Sequence, residues 1–145
     1  MKKVAIITGS ASGIGLNIAE HFIKAEYRVV FCDLNENALN DIVKKYSNDE
    51  VLGLKCDVSK EEYIQNLIDK SFEKFGRIDV LINNAGLQYV AKLEDFPTHK
   101  FTQMLQIMLV GAFCATKYVL PIMKSQKFER IINMASIQWA YRLCR

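Results

Sequence analysis

The feature that most constrains the fold is a glycine-rich turn between a short apolar run and an amphipathic helical pattern. The turn reads Thr-Gly-Ser-Ala-Ser-Gly-Ile-Gly over residues 8–15, and Val-Ala-Ile-Ile at residues 4–7 precedes it. Glycines let the backbone turn sharply and approach a pyrophosphate, and the following helix presents unpaired N–H groups and a positive dipole end to that anion. The order strand, glycine turn, helix therefore predicts a phosphate-binding turn.

A second apolar run ends in an acidic residue about where a dinucleotide-binding turn requires one. Residues 29–32 read Val-Val-Phe-Cys, and Asp33 follows them, 18 residues beyond Gly15. A carboxylate at that point can accept hydrogen bonds from both hydroxyls of an adenosine ribose. A glycine turn alone is weak evidence, but strand, glycines, helix, strand and acid in this order predict a dinucleotide site.

Apolar runs alternate with helical patterns along the rest of the chain, which is typical of βαβ units around a parallel sheet. Ser59 and Glu62 have the spacing of a capping box. The last helix is apolar on several sides and needs cover from neighbouring elements or a second subunit. The expected fold class is α/β, a Rossmann-like doubly wound parallel sheet of five strands with its ligand crevice at their carboxyl ends. The patterns predict strands at residues 3–8, 27–33, 51–55, 79–83 and 130–134 and helices at residues 13–25, 36–46, 60–75 and 98–124.

Composition limits what the chain can do. Its 145 residues suit one domain, and 50% hydrophobic with 24% charged residues is ordinary for a globular protein. The net charge of +3 owes two charges to Arg142 and Arg145, and the other basic residues are interspersed with acids, so we expect no nucleic-acid partner. No apolar run approaches the length of a bilayer span, and the run after Met1 is soon broken by the glycine turn. We therefore expect no signal peptide, no membrane partner and a cytoplasmic protein.

The cysteines and histidines lack the spacing of a metal site. Cys32 and Cys56 each close an apolar strand, which favours buried free thiols over a disulfide or a metal ligand set. His21 and His99 are isolated along the chain and are expected on helix surfaces. We therefore predict no metal site. The four cysteines form no Cys-x-x-Cys pair: Cys32, Cys56, Cys114 and Cys144.

Three further polar clusters follow predicted strands at the ligand-binding edge of the sheet. Asp57 can accept from an adenine amino group while Val58 packs on the ring, or it can cap the next helix, and the spacing favours neither interpretation. The Asn-Asn-Ala-Gly run offers amides and a close backbone approach, although a plain turn has the same composition. Ser136 can hold a substrate hydroxyl or carbonyl, or act as a cap. The clusters are Asp57-Val58, Asn83-Asn84-Ala85-Gly86 and Asn133-Met134-Ala135-Ser136.

Together these motifs show that the chain resembles the short-chain dehydrogenase/reductase family over residues 1–136. The resemblance implies hydride transfer between a nicotinamide cofactor and an alcohol or ketone. In this family a Tyr-x-x-x-Lys pair downstream of the serine performs the acid–base chemistry, which implies that Ser136 is catalytic. The cofactor-binding residues that it implies are Thr8, Gly9, Ser12, Gly13, Ile14, Gly15, Asp33, Asp57, Val58, Asn84, Ala85 and Gly86.

A narrower resemblance connects the chain to the members of the family that oxidise 3-hydroxybutyrate to acetoacetate. It rests on Asn-Ala-Gly-Leu-Gln-Tyr-Val at residues 84–90 and on Leu-Pro-x-Met-Lys-x-Gln-Lys-Phe at residues 120–128. In those enzymes the glutamine after Asn-Ala-Gly contacts the substrate carboxylate, which implies that role for Gln88. Without the resemblance, a solvent-facing loop glutamine is the simpler interpretation. The implied partners are a small hydroxy acid or ketone, and full-length relatives are expected to be homo-oligomers.

The expected cofactor is NAD. The ribose 2′-phosphate of NADP needs a cation nearby. Here Asp33 would repel that phosphate, Leu34 follows it in place of an arginine, and Ser12 in the glycine turn is uncharged.

The chain departs from the family at two places. Many members carry an asparagine in the middle of the long helix where this chain has Met108, which puts an asparagine-dependent proton relay in doubt. The chain also lacks the Tyr-x-x-x-Lys pair. Tyr141 and Arg145 have its spacing, but Tyr141 follows Ser136 by only five residues, and arginine is a poor replacement for lysine.

The last nine residues also differ from what the resemblance implies. Relatives continue after Ala-Ser-Ile with a segment similar to Asn-Gly-Leu-Ile-Gly-Phe-Ala-Gly-Lys. Deleting one nucleotide from a possible coding sequence for residues 137–145 yields Ile-Asn-Gly-Leu-Ile-Gly-Phe-Ala-Gly. We therefore expect a truncated NAD(P)-binding Rossmann domain at residues 1–136 and an aberrant tail at residues 137–145, from a frameshift or a sequencing error that resequencing the gene would test.

A chain of this kind is expected to bind NAD weakly without turnover. It is also expected to be poorly soluble, because its fifth strand would be an exposed sheet edge and its long helix would lack cover. The alternative to an oxidoreductase is a non-catalytic nucleotide-binding or subunit-interaction fragment.

Overall fold

A computed structural model describes residues 1–136, and its five strands form one sheet. The strands are β1 (Val4–Thr8), β2 (Arg28–Asp33), β3 (Val51–Lys55), β4 (Val80–Asn83) and β5 (Arg130–Asn133). Their order is β3-β2-β1-β4-β5, and every neighbouring pair is parallel. The predicted α/β doubly wound sheet is therefore confirmed. The predictions on Tyr141, Cys144 and Arg145 lie outside the described residues.

Helices cover both faces of this sheet. They are α1 (Gly13–Lys24), α2 (Glu36–Val43), α3 (Glu61–Phe75), α4 (Thr98–Leu105) and α5 (Gly111–Gln126). A five-residue π-helical segment, Gln106–Val110, joins α4 to α5, and the three form one long helix over Thr98–Gln126. The prediction of a single helix over residues 98–124 missed this segment, because widening a helical turn requires no glycine or proline that would mark it in the sequence.

Side chains that alternate along the strands build two cores. On β1, Val4 and Ile6 face the core beneath α3 and α5, whereas Ala5 and Ile7 face the core beneath α1 and α2. All four are fully buried. Strands covered on both faces are continuously apolar, which is why the sequence at residues 4–7 shows no polar alternation.

The long helix contradicts the expectation that no apolar stretch approaches the length of a bilayer span. Thr98–Gln126 is long and apolar enough, by length and composition, to span a bilayer, with a mean hydropathy of 1.6 over an 18-residue window of which 22% is buried. A core helix in a soluble protein passes the same test. One side of this helix packs into the core through Cys114, Val119 and Met123. The other side exposes an apolar row at four-residue spacing, the helix stripe, formed by Phe101, Leu105, Leu109 and Phe113.

Candidate active site

The candidate site lies where the strand order reverses. The chain passes from β1 outward to β3 and then crosses back to β4 on the other side of β1. Doubly wound sheets bind ligands at this switch point, beyond the carboxyl ends of the strands. A glycine-turn cavity of about 510 Å³ and a serine cavity of about 270 Å³ open there. The two cavities adjoin, because the same residues line both: Ile14, Val58, Asn84, Ala85, Gly86 and Ile107.

The glycines of the turn have different roles. A Cβ on Gly9 would lie 2.9 Å from Ala85 Cα, and a Cβ on Gly15 would collide with the Gly9 carbonyl oxygen, so both glycines are needed for close packing. Gly13 has a φ of +55° and open space around its Cα. At this point α1 begins, Ser12 makes no side-chain cap, and the first helical turn carries no acidic residue. The helix N-terminus therefore suits an anion bound in the glycine-turn cavity.

Hydrogen bonds tie the turn to the segment after β4. The Thr8 hydroxyl accepts from the backbone N–H groups of Asn84 and Ala85, each at 3.0 Å. In return, the Asn84 side-chain amide donates to the carbonyls of Thr8 at 2.9 Å and Gly9 at 3.1 Å. Thr8 and Asn84, both predicted to bind cofactor, thus also hold together the two loops that enclose the site.

Asp33 is held with its carboxylate at the glycine-turn cavity. Its Oδ2 accepts from Ala11 N and its Oδ1 accepts from Asn35 N, both at 3.0 Å. Each carboxylate oxygen can accept more than one hydrogen bond, so these anchors orient the group without exhausting it. The sequence predicted Asp33 but not the two backbone N–H groups that orient its carboxylate.

Ser10 is a fully buried residue of the turn that sequence reasoning missed. Its hydroxyl donates to the Ile7 carbonyl at 2.9 Å and accepts from Cys32 N at 2.9 Å. The backbone N–H of Ser10 also donates to the Cys32 carbonyl. These bonds fasten the turn to β2 immediately before Asp33.

Asp57 organises the turn after β3 and lines the glycine-turn cavity. Its Oδ1 accepts from Ser59 N at 3.0 Å and from the Ser59 hydroxyl at 2.6 Å. The predicted capping box of Ser59 with Glu62 is wrong, because this hydroxyl is bound to Asp57 and Lys60 is the N-cap residue of α3. Asp57 is not the N-cap residue either, and its adenine contact remains a prediction.

The serine cavity lies beyond β4 and β5. Asn83 and Asn133 are register partners on these strands, and Asn83 Nδ2 donates to Asn133 Oδ1 at 2.8 Å. Ser136 lines this cavity with Asn133 and with Met108 of the π-helical segment. The motif containing Asn133 was visible in the sequence, whereas its pairing with Asn83 depends on strand register.

Gln88 is the one predicted site residue that lines neither cavity. It lies on the exposed loop after β4, between Leu87, which lines the glycine-turn cavity, and Tyr89. The Tyr89 ring packs edge-on against Phe96, with ring centroids 5.3 Å apart. The substrate role of Gln88 stays a prediction. The other predicted site residues all line at least one of the two cavities.

The thiols near the site are buried and free, as predicted for Cys32 and Cys56, and Cys114 is buried as well. A hydrogen bond with Cys56 and burial together raise the pKa of the Cys32 thiol well above its ordinary value. A protonated thiol is a poor nucleophile and metal ligand. Within residues 1–136, no group of three or more His, Cys, Asp and Glu side chains is placed to hold a metal ion.

Comparison with known proteins gives a consistent result. The family model described as short chain dehydrogenase matches residues 3–143. An uncharacterized oxidoreductase of Bacillus subtilis, YxjF, is 41% identical over 138 residues, which are 94% of this chain and 54% of that protein. The D-beta-hydroxybutyrate dehydrogenase of Rhizobium meliloti is 36% identical over 140 residues, again 94% of this chain and 54% of that protein. The chain thus spans about half the length of these relatives.

A solved structure supports the same family. The alcohol dehydrogenase from the archaeon Thermococcus sibiricus, complexed with 5-hydroxy-NADP, superposes with a TM-score of 0.84 at 30% sequence identity. The match covers 90% of this chain and 57% of that chain.

Proposed function

The chain belongs to the short-chain dehydrogenase family, and on that premise we propose that it is the nucleotide-binding part of an NAD-dependent oxidoreductase for a small hydroxy acid. One observation carries the proposal: the glycine turn, Asp33 and Asp57 surround a single cavity of about 510 Å³ at the switch point. A nicotinamide cofactor bound there would supply a hydride acceptor for an alcohol.

The residues present fit such a cofactor. The open space at Gly13 and the N-terminus of α1 suit a pyrophosphate, and the anchored Asp33 carboxylate suits the hydroxyls of a ribose. Asp57 and Val58 line the same cavity, which supports the proposed contact with an adenine. The adjoining serine cavity leaves room beside Ser136 for the nicotinamide and the substrate.

The charge of the glycine-turn cavity favours NAD over NADP. Two carboxylates, Asp33 and Asp57, line it, and its described lining contains no lysine or arginine. Leu34, which is 59% exposed, stands beside Asp33 at the rim. A 2′-phosphate placed there would be repelled and would find no cation. The archaeal alcohol dehydrogenase is complexed with an NADP derivative, and the preference for NAD proposed for this chain rests on Asp33, Asp57 and Leu34.

The substrate assignment rests on similarity. The Rhizobium meliloti relative is named for D-beta-hydroxybutyrate, and the Asn-Ala-Gly-Leu-Gln segment that contains Gln88 resembles that type of enzyme. We propose that the substrate is a small 3-hydroxy acid. Gln88 would contact its carboxylate, and Ser136 would contact its hydroxyl.

Calorimetry on the purified chain tests the nucleotide part of the proposal. We expect NAD to bind more tightly than NADP, and Asp33→Ala to remove most of the binding. We expect no formation of reduced nicotinamide from 3-hydroxybutyrate, because these 145 residues lack a Tyr-x-x-x-Lys pair. Failure of NAD to bind would refute the proposal, and turnover would refute the expected inactivity of this chain.

A subunit-interaction role is the second candidate, and the helix stripe favours it. Leu109 and Phe113 are each 65% exposed on one side of the long helix. Exposed apolar rows of this kind are common at protein–protein contacts. Because the oxidoreductase proposal also expects NAD binding without turnover by this chain, association through the stripe is the measurement that tests this role, and a chain that stays monomeric would refute it.

A further inference from the structure

The turn after β3 is docked onto the long helix at two points. Gln106 Nε2 donates to the Ser59 carbonyl at 3.0 Å. Gly111 lies against the carbonyl of Val58, the residue before Ser59, and a Cβ on Gly111 would be 2.5 Å from Val58 O. Two consecutive carbonyls of this turn therefore face the helix, one in a hydrogen bond and the other in direct contact.

The π-helical segment brings these two contacts onto one side of the helix. Gln106 is its first residue, and Gly111 directly follows its last. Residues five apart lie about 140° apart around an α-helix, because each turn holds 3.6 residues. A π-helical turn is wider and brings residues five apart close to alignment. In a regular α-helix, Gln106 and Gly111 would lie on different sides, and the π-helical segment brings them closer to the same side.

The docked turn contributes to the lining of both cavities. Val58 lines both of them, and Asp57 lines the larger one. On its other side the turn is held by the bonds of Ser59 to Asp57. Gln106 itself lines neither cavity, so its effect on a ligand passes through the turn.

We propose that Gln106 is a positioning residue that, together with Gly111, sets where Val58 and Asp57 lie against the adenine end of the nucleotide. This inference rests on the proposed function. It assigns a role to the π-helical segment, which joins the long helix to the adenine side of the site as well as to the serine cavity. The contacts of the pyrophosphate with the glycine turn do not depend on it.

Three variants and a control test the role of Gln106. Gln106→Glu has nearly the same shape but cannot donate to the Ser59 carbonyl, whereas Gln106→Lys keeps a donor on a long side chain. Gly111→Ala displaces Val58 from the other contact. Gln65→Ala, an exposed glutamine on α3, is the matched control. Calorimetry measures the affinity of each for ADP-ribose, which contains adenine, and for nicotinamide mononucleotide, which does not.

Loss of the Gln106–Ser59 hydrogen bond predicts about five- to tenfold weaker ADP-ribose binding for Gln106→Glu. We expect weaker ADP-ribose binding for Gly111→Ala as well, because its Cβ would push Val58 away from the helix. Gln106→Lys should recover most of the affinity, Gln65→Ala should match the parent chain, and nicotinamide mononucleotide binding should not change. Unchanged ADP-ribose affinity in Gln106→Glu, or an equal loss for both ligands, would overturn the inference. If the parent chain binds no ADP-ribose, the proposed function fails first, and the inference falls with it.

Discussion

Gly15 of α1 lies directly against the side chain of Asn84. A Cβ on Gly15 would be 2.5 Å from Asn84 Nδ2. That amide cannot easily move away, because it donates to the carbonyls of Thr8 and Gly9. The third glycine of the turn is therefore required for the contact between two loops, whereas Gly13 faces open space.

Alanine at these two glycines should have different effects. Gly15→Ala forces the turn and Asn84 apart and should cost about 2–3 kcal/mol of unfolding free energy, with loss of nucleotide binding. Gly13→Ala meets no neighbouring atom and carries only the conformational cost of a left-handed residue, about 1 kcal/mol. Urea unfolding of both variants measures the difference. Equal losses would contradict the assigned packing role of Gly15.

The hydroxyl of Thr8 should contribute more to stability than the volume of its side chain. Thr8→Val keeps the volume but leaves the N–H groups of Asn84 and Ala85 without their acceptor, which should cost about 2 kcal/mol. Thr8→Ser keeps the hydroxyl and should cost less than half as much. Chemical denaturation of the valine and serine variants measures the difference in their free energies of unfolding. A valine variant as stable as the serine variant would show that water replaces the hydroxyl.

Cofactor preference should respond to the two residues at the end of β2. In the double variant Asp33→Asn with Leu34→Arg, the amide oxygen can still accept from one backbone N–H, the repulsion is gone, and a cation is present for a 2′-phosphate. We expect the ratio of NADP to NAD affinity to rise at least tenfold, as measured by calorimetry. Leu34→Lys alone, with Asp33 retained, should move the ratio less.

Glu61 on α3 should titrate below its ordinary range. Hydrogen bonds from Lys117 Nζ at 2.9 Å and from the Tyr118 hydroxyl at 2.7 Å lower the pKa of the Glu61 carboxyl from 4.5. Because the folded-state pKa is lowered, the contact favours folding above the ordinary pKa, and this contribution is lost as the pH falls through the lowered value. Near neutral pH the contribution is fully present, so Glu61 should not make stability change with pH in that range.

A carboxyl NMR titration checks the Glu61 prediction. Lys117→Ala should bring the pKa of Glu61 back toward 4.5, since the hydrogen bond from Lys117 is the largest cause of the shift. Lys70→Ala, at an exposed position on the same helix α3, should leave it unchanged. An unshifted Glu61 in the parent chain would mean that this surface contact does not persist in solution.

The helix stripe should control self-association. Leu109→Glu with Phe113→Lys replaces two side chains that are each 65% exposed with an i, i+4 ion pair, and should increase the monodisperse fraction without lowering stability. Light scattering with size-exclusion chromatography measures this. Thr102→Glu, on the same helix but outside the stripe, should not improve the behaviour. Equal improvement by both variants would show that added charged side chains on the helix, and not removal of the stripe, are responsible.

Local chemistry made much of this protein predictable. Continuous apolar runs identified the strands, and the glycine turn followed by Asp33 pointed to the cavity at the switch point, because a close backbone approach and a carboxylate at a strand end each need particular residue types. The predicted capping box of Ser59 with Glu62 was wrong because residue type alone does not decide which partner a hydroxyl binds. Ser59 has a cap residue's chemistry, but a neighbouring carboxylate took its hydroxyl.

The sequence by itself determined which residues build the sheet, the turn and the edge at which they meet. Only the tertiary structure decided how those residues are held. The bonds of Thr8 to Asn84 and Ala85 join positions 76 and 77 residues apart, and the contact of Gln106 with Ser59 spans 47. Periodicity reports local preference, whereas such contacts depend on strand order, on register and on the π-helical segment of the long helix, which form together when the chain folds.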